Sequence, residues 1–404
     1  MTAGEPELPG ADELAALRAT TTDFVRTRVL PHQATWEADG LLPRSLHEEA
    51  GDAGLLGAHF PEDVGGGGGG LQAMVAIAEA AHEAGMSGGT YASLFTSGIA
   101  VPHIVHAGTP ALIDAYVRPT LAGRMIGSLA ITEPGGGSDV GGLRMRAVAD
   151  GDDYVLTGEK TFITSGVRAD YVVTAARTGG PGSKGVSLLV VPTDAPGFTV
   201  ASKLQKMGWH ASDTAELHYD GVRVPGSQLV GDENAGFRYI SHAFVAERLA
   251  LAAQAYGGAQ RALDLAVAWC RDRETFGQPL ITRDTVRSTL ATMAQRIDVA
   301  RVYSRDLARR WDTGVLRSTD GAPVTAAGDG HGSLDLVAAA CFAKNTAVEA
   351  ADRVVHQAVQ LFGGLGYMSE SEVERIYRDT RILGIGGGTT EILTTLAAKK
   401  LEYV

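Results

Sequence analysis

The spacing of apolar residues divides the chain into a helical part, a strand-rich part and a second helical part. From about residue 12 to 125, apolar residues recur at helical intervals, as in LQAMVAIAEAAHEAG. From about 126 to 237, short β-branched runs such as YVVTAAR alternate with Gly, Pro and Asp turns. From about 238 onward, three long segments regain helical periodicity. The pattern predicts an α+β multidomain protein with an N-terminal helical domain (1–125), a central antiparallel β barrel or sandwich (126–237) and a C-terminal four-helix bundle (238–404).

Two glycine-rich segments interrupt this pattern. The run Gly65 to Gly70 satisfies G-x-G-x-x-G, but it follows HFPEDV rather than a buried strand, and no βαβ pattern surrounds it. We therefore predict a turn between helices and no dinucleotide-binding Rossmann unit. Residues 313–333, rich in Gly, Ser and Asp, are long for a connection between bundle helices, so we expect an exposed, mobile insertion.

Composition and charge exclude several classes of function. A chain of 404 residues predicts two or three domains. The excess of Asp+Glu (47) over Lys+Arg (35) argues against a nucleic-acid partner. The acidic N-terminus resembles no targeting peptide, and no apolar run reaches membrane-spanning length. Cys270 and Cys341 are far apart and lack a CxxC spacing, so we expect buried thiols in a reducing cytoplasm, with neither a disulfide nor a metal site.

The strongest local motif is LAITEPGGGSDVGG at residues 129–142. It places a strand before a glycine-rich turn that carries the hydroxyls of Thr132 and Ser138. Because glycine lets backbone N–H groups approach a ligand closely, such a turn can hold a flavin edge or a pyrophosphate. An ordinary hairpin turn would have the same pattern, and the motif alone leaves that reading open.

The motif closely resembles the TEPxxGSD signature of the flavin-dependent acyl-CoA dehydrogenases, and the resemblance covers nearly the whole chain, from HFPEDVGG to TTEIL. It implies FAD as the cofactor. It also implies that FAD is contacted by the backbone of Leu129 and Ile131 and by Thr132 and Ser138.

The segment KTFITSG is similar to an aromatic-Ile-Thr segment of the same family. The resemblance implies that Phe162 stacks on the flavin ring and that Thr164 hydrogen-bonds its reactive edge. A lone Phe in a strand is more often part of a core, so this role depends on the neighbouring motif.

Two further segments imply that FAD is shared between subunits. RDRETFGQPL resembles the family's R-x-x-F-G-x-P run, with Arg273 and Phe276, which reaches the FAD of a neighbouring subunit. VQLFGGLGYM matches the Q-x-x-G-G element, with Gln360 and Gly364. Asp284 stands where relatives commonly carry Gln, so the resemblance does not carry the adenine-side contact over to this position. A shared cofactor implies a homo-oligomer, and we expect a tetramer.

The location of the catalytic base is the most informative difference from many relatives. Many family members carry their proton-abstracting glutamate in a loop near the C-terminus, where this chain has Gly387. A branch with long-chain and isovaleryl-type members instead carries it in an E-R-L run at a helix start, which Glu247-Arg248-Leu249 matches. The resemblance therefore implies that Glu247 is the base. Outside the family, an E-R pair at a helix start is ordinarily solvated and complements the helix dipole.

The resemblance also implies the substrate site and the rest of the cofactor site. Gly387 would donate its backbone N–H to the thioester carbonyl, and Thr389 and Glu391 would face the FAD. Arg248 could equally be a structural ion-pair partner. The implied contacts of the acyl-CoA are Ser138, Phe244, Arg248, Gly387 and Gly388.

The implied reaction is the α,β-desaturation of an acyl-CoA thioester to a trans-2-enoyl-CoA. Glu247 would remove the α-proton while flavin N5 accepts the β-hydride. Electrons would then pass to electron-transfer flavoprotein or a similar acceptor. Three alternatives stay open: a dehydrogenase of carrier-protein-tethered acyl groups, an oxidase or monooxygenase on the same fold, and a non-catalytic flavin- or acyl-CoA-binding relic. The sequence does not predict the length or branching of the acyl chain.

Overall fold

The computed structural model describes residues 8–314 and 335–403. The predicted insertion at 313–333 lies, from residue 315 onward, outside the described residues. No helix within these ranges is long and apolar enough to cross a membrane.

The first third of the described chain is helical, as the apolar spacing predicted. Helix α4 is buried on nearly all sides because it packs against α1 and against two helices of the C-terminal part. The glycine run Gly65–Gly69 forms the turn before α4, as predicted, and Gly65 and Gly68 have left-handed backbones with φ of +93° and +72°. The helices are α1 (Ala11–Phe24), α2 (Gln33–Asp39), α3 (Arg44–Asp52), α4 (Gly70–Glu83), α5 (Gly88–Leu94), α6 (Ser97–Ala107), α7 (Pro110–Leu112) and α8 (Arg118–Leu121).

A seven-stranded sheet follows, so the predicted central β domain is confirmed. Its order is β1-β4-β2-β3-β7-β6, and β5 also pairs with β4. Most pairs are antiparallel, but β1 runs parallel to β4, because the β2–β3 hairpin intervenes and the chain re-enters the sheet in its original direction. The strands are β1 (Gly127–Ala130), β2 (Arg146–Asp150), β3 (Asp153–Thr164), β4 (Tyr171–Arg177), β5 (Val186–Pro192), β6 (Phe198–Lys203) and β7 (Thr214–Pro225).

Strands β4 and β5 are almost entirely buried because both of their faces are covered. Alternate side chains of a strand point to opposite faces. Tyr171 and Val173 join a core shared with the helices, whereas Val172 joins a core within the sheet. This double burial explains why YVVTAAR is nearly continuous in apolar residues rather than alternating.

The C-terminal part is a helical bundle, as predicted. Helices α9, α10 and α11 pack against one another, and α13 packs on α11. Their shared core is rich in alanine, which allows close approach of the helices. Cys270 and Cys341 are buried free thiols, as predicted. The elements are α9 (Gly236–Asp272), the hairpin β8 (Glu274–Thr275) and β9 (Gln278–Pro279), α10 (Asp284–Asp312), α11 (Leu336–Phe362), α12 (Glu372–Thr380) and α13 (Thr390–Lys400).

Candidate active site

Glu247 lies well inside a long helix. The expectation that it starts a helix is wrong: α9 begins at Gly236, about three turns earlier, because the apolar spacing of GFRYISHAF continues that of the following residues. An interior position also removes the reading in which Glu247 complements a helix N-terminus. The side chain is half-buried, and loss of solvent raises the pKa of its carboxyl. The charges of Arg248 and Lys344 act against this shift.

The C-terminal glycine loop comes close to this carboxylate. Gly387 has a left-handed backbone with φ of +65°. A β-carbon built on Gly387 would lie 3.4 Å from Oε1 of Glu247 and 2.5 Å from Cδ1 of Leu251. A side chain at position 387 would therefore start in the space that the carboxylate of Glu247 already approaches. Positions 247 and 387, the two positions that the resemblance offers for a base, therefore meet at one point in this fold.

The glycine loop is attached to α11 by a buried lysine. Nζ of Lys344 donates hydrogen bonds to the carbonyl oxygens of Gly386 (2.5 Å) and Gly388 (2.6 Å). The Lys344 side chain is fully buried, and desolvation lowers its pKa to about 8. Lys344 was not among the site residues predicted from the sequence, although a single lysine among the alanines of AAACFAKNTAVEAA was a visible signal.

The loop ends where α13 begins. Thr389 caps that helix, and its hydroxyl accepts a hydrogen bond from the backbone N–H of Ile392 at 3.3 Å. Glu391 is exposed in the first turn of α13. Thr389 thus lies next to the glycine loop, whereas the Glu391 side chain faces solvent in a single chain.

Arg248 is buried without an ion-pair partner among the described residues. Its side chain is 6% exposed, and neither Nε nor Nη1 hydrogen-bonds to any described residue. The guanidinium carbon lies 5.7 Å from the centre of the Phe244 ring, which provides a cation–π contact. The structural ion-pair role considered above is therefore not observed in the described part of the chain. A buried cation with free donors can accept a polar or anionic ligand.

The glycine-rich turn after β1 is held by a second buried lysine. Nζ of Lys160 donates to the carbonyl of Ile131 at 2.9 Å and to Oε1 of Glu133 at 3.0 Å. The backbone carbonyl of Thr132 accepts from the N–H of Thr161 at 2.9 Å. Leu129, in β1, leads into this turn. The rest of the turn is exposed, including Ser138 and glycines whose missing side chains leave open space.

Phe162 projects from an irregularity in β3. The register between β3 and β7 shifts between Lys160 and Ile163, and Phe162 has an unusual φ of +60°. Its side chain is 68% exposed, so the single-chain structure excludes a core role for it. Thr164 ends the same strand, and its carbonyl accepts from Oγ of Ser128 at 2.6 Å. A strained, exposed aromatic next to an open glycine turn is suited to stack on a planar ligand.

The remaining predicted cofactor residues form a separate, exposed cluster. The ends of α9 and α11 that carry them are joined by Trp269 and Phe362, whose rings stack with centroids 5.0 Å apart. Arg273 follows Glu247 by 26 residues on the α9 axis, which corresponds to about 39 Å. This cluster therefore lies at the C-terminal end of α9, whereas Glu247 lies in the N-terminal half of the same helix. The exposed members of this cluster are Arg273, Phe276, Gln360 and Gly364.

Three family models match consecutive parts of the chain, and together they define its class. "Acyl-CoA dehydrogenase, N-terminal domain" matches residues 11–124, "Acyl-CoA dehydrogenase, middle domain" matches 128–222, and "Acyl-CoA dehydrogenase, C-terminal domain" matches 234–402. The fold is thus that of a class of flavin-dependent oxidoreductases that act on CH–CH groups. The chain belongs to the acyl-CoA dehydrogenase family, whose members bind FAD.

Individual relatives extend over almost the full chain. A protein of Bacillus subtilis (strain 168), named probable acyl-CoA dehydrogenase YngJ, is 36% identical over 96% of this chain and 98% of its own. The mitochondrial long-chain specific acyl-CoA dehydrogenase of Sus scrofa is 35% identical over 96% of this chain and 86% of its own. The crystal structure of a candidate acyl-CoA dehydrogenase from Mycobacterium smegmatis has a TM-score of 0.92 and 62% identity, covering 98% of this chain and 99% of its own.

Proposed function

We propose that this protein oxidises an acyl-CoA thioester to the trans-2-enoyl-CoA and that Glu247 is the base that removes the α-proton. One observation carries the proposal: a glutamate oxygen lies 3.4 Å from the β-carbon position of Gly387, where many relatives attach their own glutamate. The chain has a glycine at position 387, and the carboxylate of Glu247 approaches the same space from α9. This arrangement favours a working enzyme over a binding relic.

The residues of the β domain fit FAD. Phe162 offers an exposed ring, Thr164 ends the same strand, and the open turn from Thr132 to Ser138 offers backbone donors and hydroxyls. We propose that these residues, with Leu129 and Ile131, hold the cofactor. Bound FAD supplies the hydride acceptor, and the protein supplies orientation and charge.

The local surroundings suit Glu247 to proton abstraction. Desolvation raises the pKa of its carboxyl, and a carboxylate whose pKa is nearer to neutrality is a stronger base. Burial thus makes the proposed proton acceptor a stronger base, while the positive charges of Arg248 and Lys344 oppose the rise in its pKa.

A hydrogen-bond donor for the substrate carbonyl lies in the neighbouring loop. The backbone N–H of Gly387 has no acceptor among the described residues. We propose that it donates to the thioester oxygen, with Gly388 alongside, and so stabilises the negative charge that develops as the α-proton leaves. One such donor contributes about 3 kcal/mol in enzymes with an oxyanion hole.

Phe244 and Arg248 complete the proposed substrate site. The free Nε and Nη1 donors of Arg248 lie one residue along α9 from the base, so a bound acyl-CoA could satisfy them. We assign Ser138 to the mouth of this site, as the resemblance implies.

The exposed cluster at the C-terminal end of α9 supports a cofactor that is shared between subunits. Arg273 lies about 39 Å along α9 from Glu247. We therefore propose that the exposed cluster of Arg273, Phe276, Gln360 and Gly364 binds the FAD of another subunit rather than the FAD near Glu247 in its own chain. Phe276 is 97% exposed at the tip of the β8–β9 hairpin, as expected for a side chain that inserts into another subunit. We propose a homo-oligomer, a tetramer built from dimers, in which Thr389 and Glu391 also approach FAD.

The physiological context follows from these assignments. We place the protein in the branch with an E-R-L base and propose electron-transfer flavoprotein, or a similar carrier, as the acceptor of electrons. The buried free thiols Cys270 and Cys341 fit a reducing compartment, and we propose the cytoplasm.

An anaerobic titration of the purified yellow protein tests the proposal. Acyl-CoA esters from short to long and branched are added while flavin absorbance is followed. Bleaching by one length class is expected and would identify the substrate group. Bound FAD that no CoA ester bleaches would contradict the proposal and favour a carrier-tethered substrate or a relic.

A further inference from the structure

The side chain of Lys344 is fully buried, and it binds the glycine loop through hydrogen bonds. Its ammonium group is bound to two carbonyl oxygens, those of Gly386 and Gly388, which flank Gly387 on either side. Burying an ammonium is costly unless its donors are satisfied. The carboxylate of Glu247 raises the pKa of Lys344, whereas the buried guanidinium of Arg248 lowers it. Because burying its ammonium group costs free energy, we expect Lys344 to have a role in the glycine loop that it binds.

The hydrogen bond from Lys344 to the Gly386 carbonyl fixes the direction of the Gly387 N–H. In a trans peptide, the C=O and N–H groups point in opposite directions. The Gly386 carbonyl and the Gly387 N–H belong to the same peptide unit. Because Lys344 holds that carbonyl, the N–H of Gly387 must point away from Lys344. Without the lysine, a loop of consecutive glycines would have many alternative conformations.

The lysine also lies close to the catalytic carboxylate. Nζ of Lys344 and Oε1 of Glu247 lie 3.9 Å and 3.4 Å, respectively, from the β-carbon position of Gly387. They form no ion pair within 4 Å, so the carboxylate stays available to a substrate. One ammonium therefore acts on both proposed catalytic groups, the base and the N–H donor.

We propose that Lys344 is a positioning residue: it orients the Gly387 N–H toward the thioester carbonyl and places its positive charge near the carboxylate of Glu247. This inference rests on the proposed function, because it takes Glu247 as the base and Gly387 as the donor. Lys344 itself touches neither substrate nor cofactor in this scheme.

The test compares Lys344→Met with Asn345→Ala in the holoenzyme. Asn345 is the matched control, because its Nδ2 also ties α11 to the end of this loop, donating to the carbonyl of Thr390 at 3.1 Å, but it carries no charge. Flavin reduction is measured by stopped flow across pH. The carbonyl stretch of bound, ¹³C-labelled 3-thiaoctanoyl-CoA, which has no β-hydride to transfer, is measured by infrared difference spectroscopy.

Lys344→Met should slow flavin reduction by about 100-fold, the effect of losing one oriented donor. The carbonyl stretch should return toward its value in solution. The acid limb of the pH profile should move to higher pH, because the lysine charge lowers the pKa of Glu247 and its removal raises it. Asn345→Ala should retain the wild-type carbonyl stretch and acid limb. Lys344→Gln keeps a neutral donor. It should restore part of the shift in the carbonyl stretch, but it should not return the acid limb of the pH profile to its wild-type position.

A wild-type carbonyl stretch and acid limb in Lys344→Met, or equal changes in Asn345→Ala, would overturn the inference. If Lys344→Met does not fold, the same two readouts in Lys344→Gln decide. A Glu247→Gln enzyme that still reduces flavin at the wild-type rate would instead contradict the proposed function. Failure of the inference about Lys344 can therefore be distinguished from failure of the proposed function.

Discussion

At the scale of single residues, the glutamate at position 247 and the glycine at position 387 have a common geometric explanation. A glutamate at 387 would need a β-carbon 2.5 Å from Leu251 Cδ1, and the left-handed backbone at this position favours glycine. The carboxylate of Glu247 reaches the same space from α9. The resemblance alone pointed to this pair, and the geometry gives it a physical reason.

Arg248 allows a prediction that separates function from stability. Its buried guanidinium has free donors, so Arg248→Met should leave the free energy of unfolding unchanged or raise it by about 1 kcal/mol. The same variant should lower kcat/KM by at least about tenfold, because a proposed substrate contact is lost. Chemical denaturation and steady-state kinetics measure the two effects. A clear loss of stability with unaltered kcat/KM would make Arg248 a structural residue.

Some site residues could be predicted from sequence and others could not. The motifs around Ser138, Phe162 and Gly387 are contiguous, so local pattern is enough to find them. Lys344 and Lys160 act on loops that lie far away in sequence, through hydrogen bonds from their ammonium groups to backbone carbonyls. Such long-range contacts leave no spacing signal, only the weaker oddity of a lysine in an apolar stretch.

At the scale of elements, the glycine loop is the most sensitive segment. Gly387→Ala should destabilise the protein by about 1–2 kcal/mol, because it adds a β-carbon in contact with Leu251 at a positive φ. Gly386→Ala is the matched control: its β-carbon would meet only the Ile382 carbonyl, at an ordinary 3.6 Å. Thermal unfolding of the two variants measures the difference. Equal stabilities would show that the loop relaxes around the added methyl group.

Element types were predictable, but their ends and pairings were less so. Apolar periodicity identified the long helices and the strand-rich centre, because those signals are local. It did not place the start of α9, since helical spacing continues smoothly through GFRYISHAF. Nor did it show that β1 and β4 are parallel, because pairing depends on where the β2–β3 hairpin sends the chain. The domain limits at 125/126 and 237/238 stay a prediction.

At the scale of the whole molecule, buried histidines should set the acid limit of stability. Burial lowers the pKa values of His47, His82 and His103 to about 4, below the value of 6.5 expected in the unfolded chain. The unfolded state then binds more protons between these values, so stability is complete above pH 6.5 and falls as the pH drops toward 4. Asp379, whose pKa burial raises to about 6, offsets part of this loss.

From pH 7 to 5 the three histidines and Asp379 together should lower the free energy of unfolding by roughly 4 kcal/mol. Denaturant melts at several pH values measure it. His103→Leu should make the free energy of unfolding depend less steeply on pH, because one titrating group is removed. A dependence as steep as that of the wild-type protein would remove His103 from this explanation.

A shared cofactor site predicts complementation between two inactive subunits. Glu247→Gln removes the base, and Arg273→Glu damages the cluster offered to a partner. Each variant alone should be nearly inactive. Mixed oligomers should recover activity, because some sites combine an intact Glu247 from one subunit with an intact Arg273 from another. Co-expression with two affinity tags isolates the mixed oligomers, and their failure to regain activity would argue that each chain builds its FAD site alone.

The most direct test of the central claim is the single-turnover rate of flavin reduction in Glu247→Gln, measured anaerobically with the acyl-CoA that bleaches the wild-type protein. We expect a rate about 1,000-fold lower, with bound FAD and thermal stability retained, because only the proton acceptor is removed. Glu349→Gln, on the exposed face of α11, is the control and should react at the wild-type rate. A Glu247→Gln rate within a few-fold of the wild type would contradict the assignment of the base.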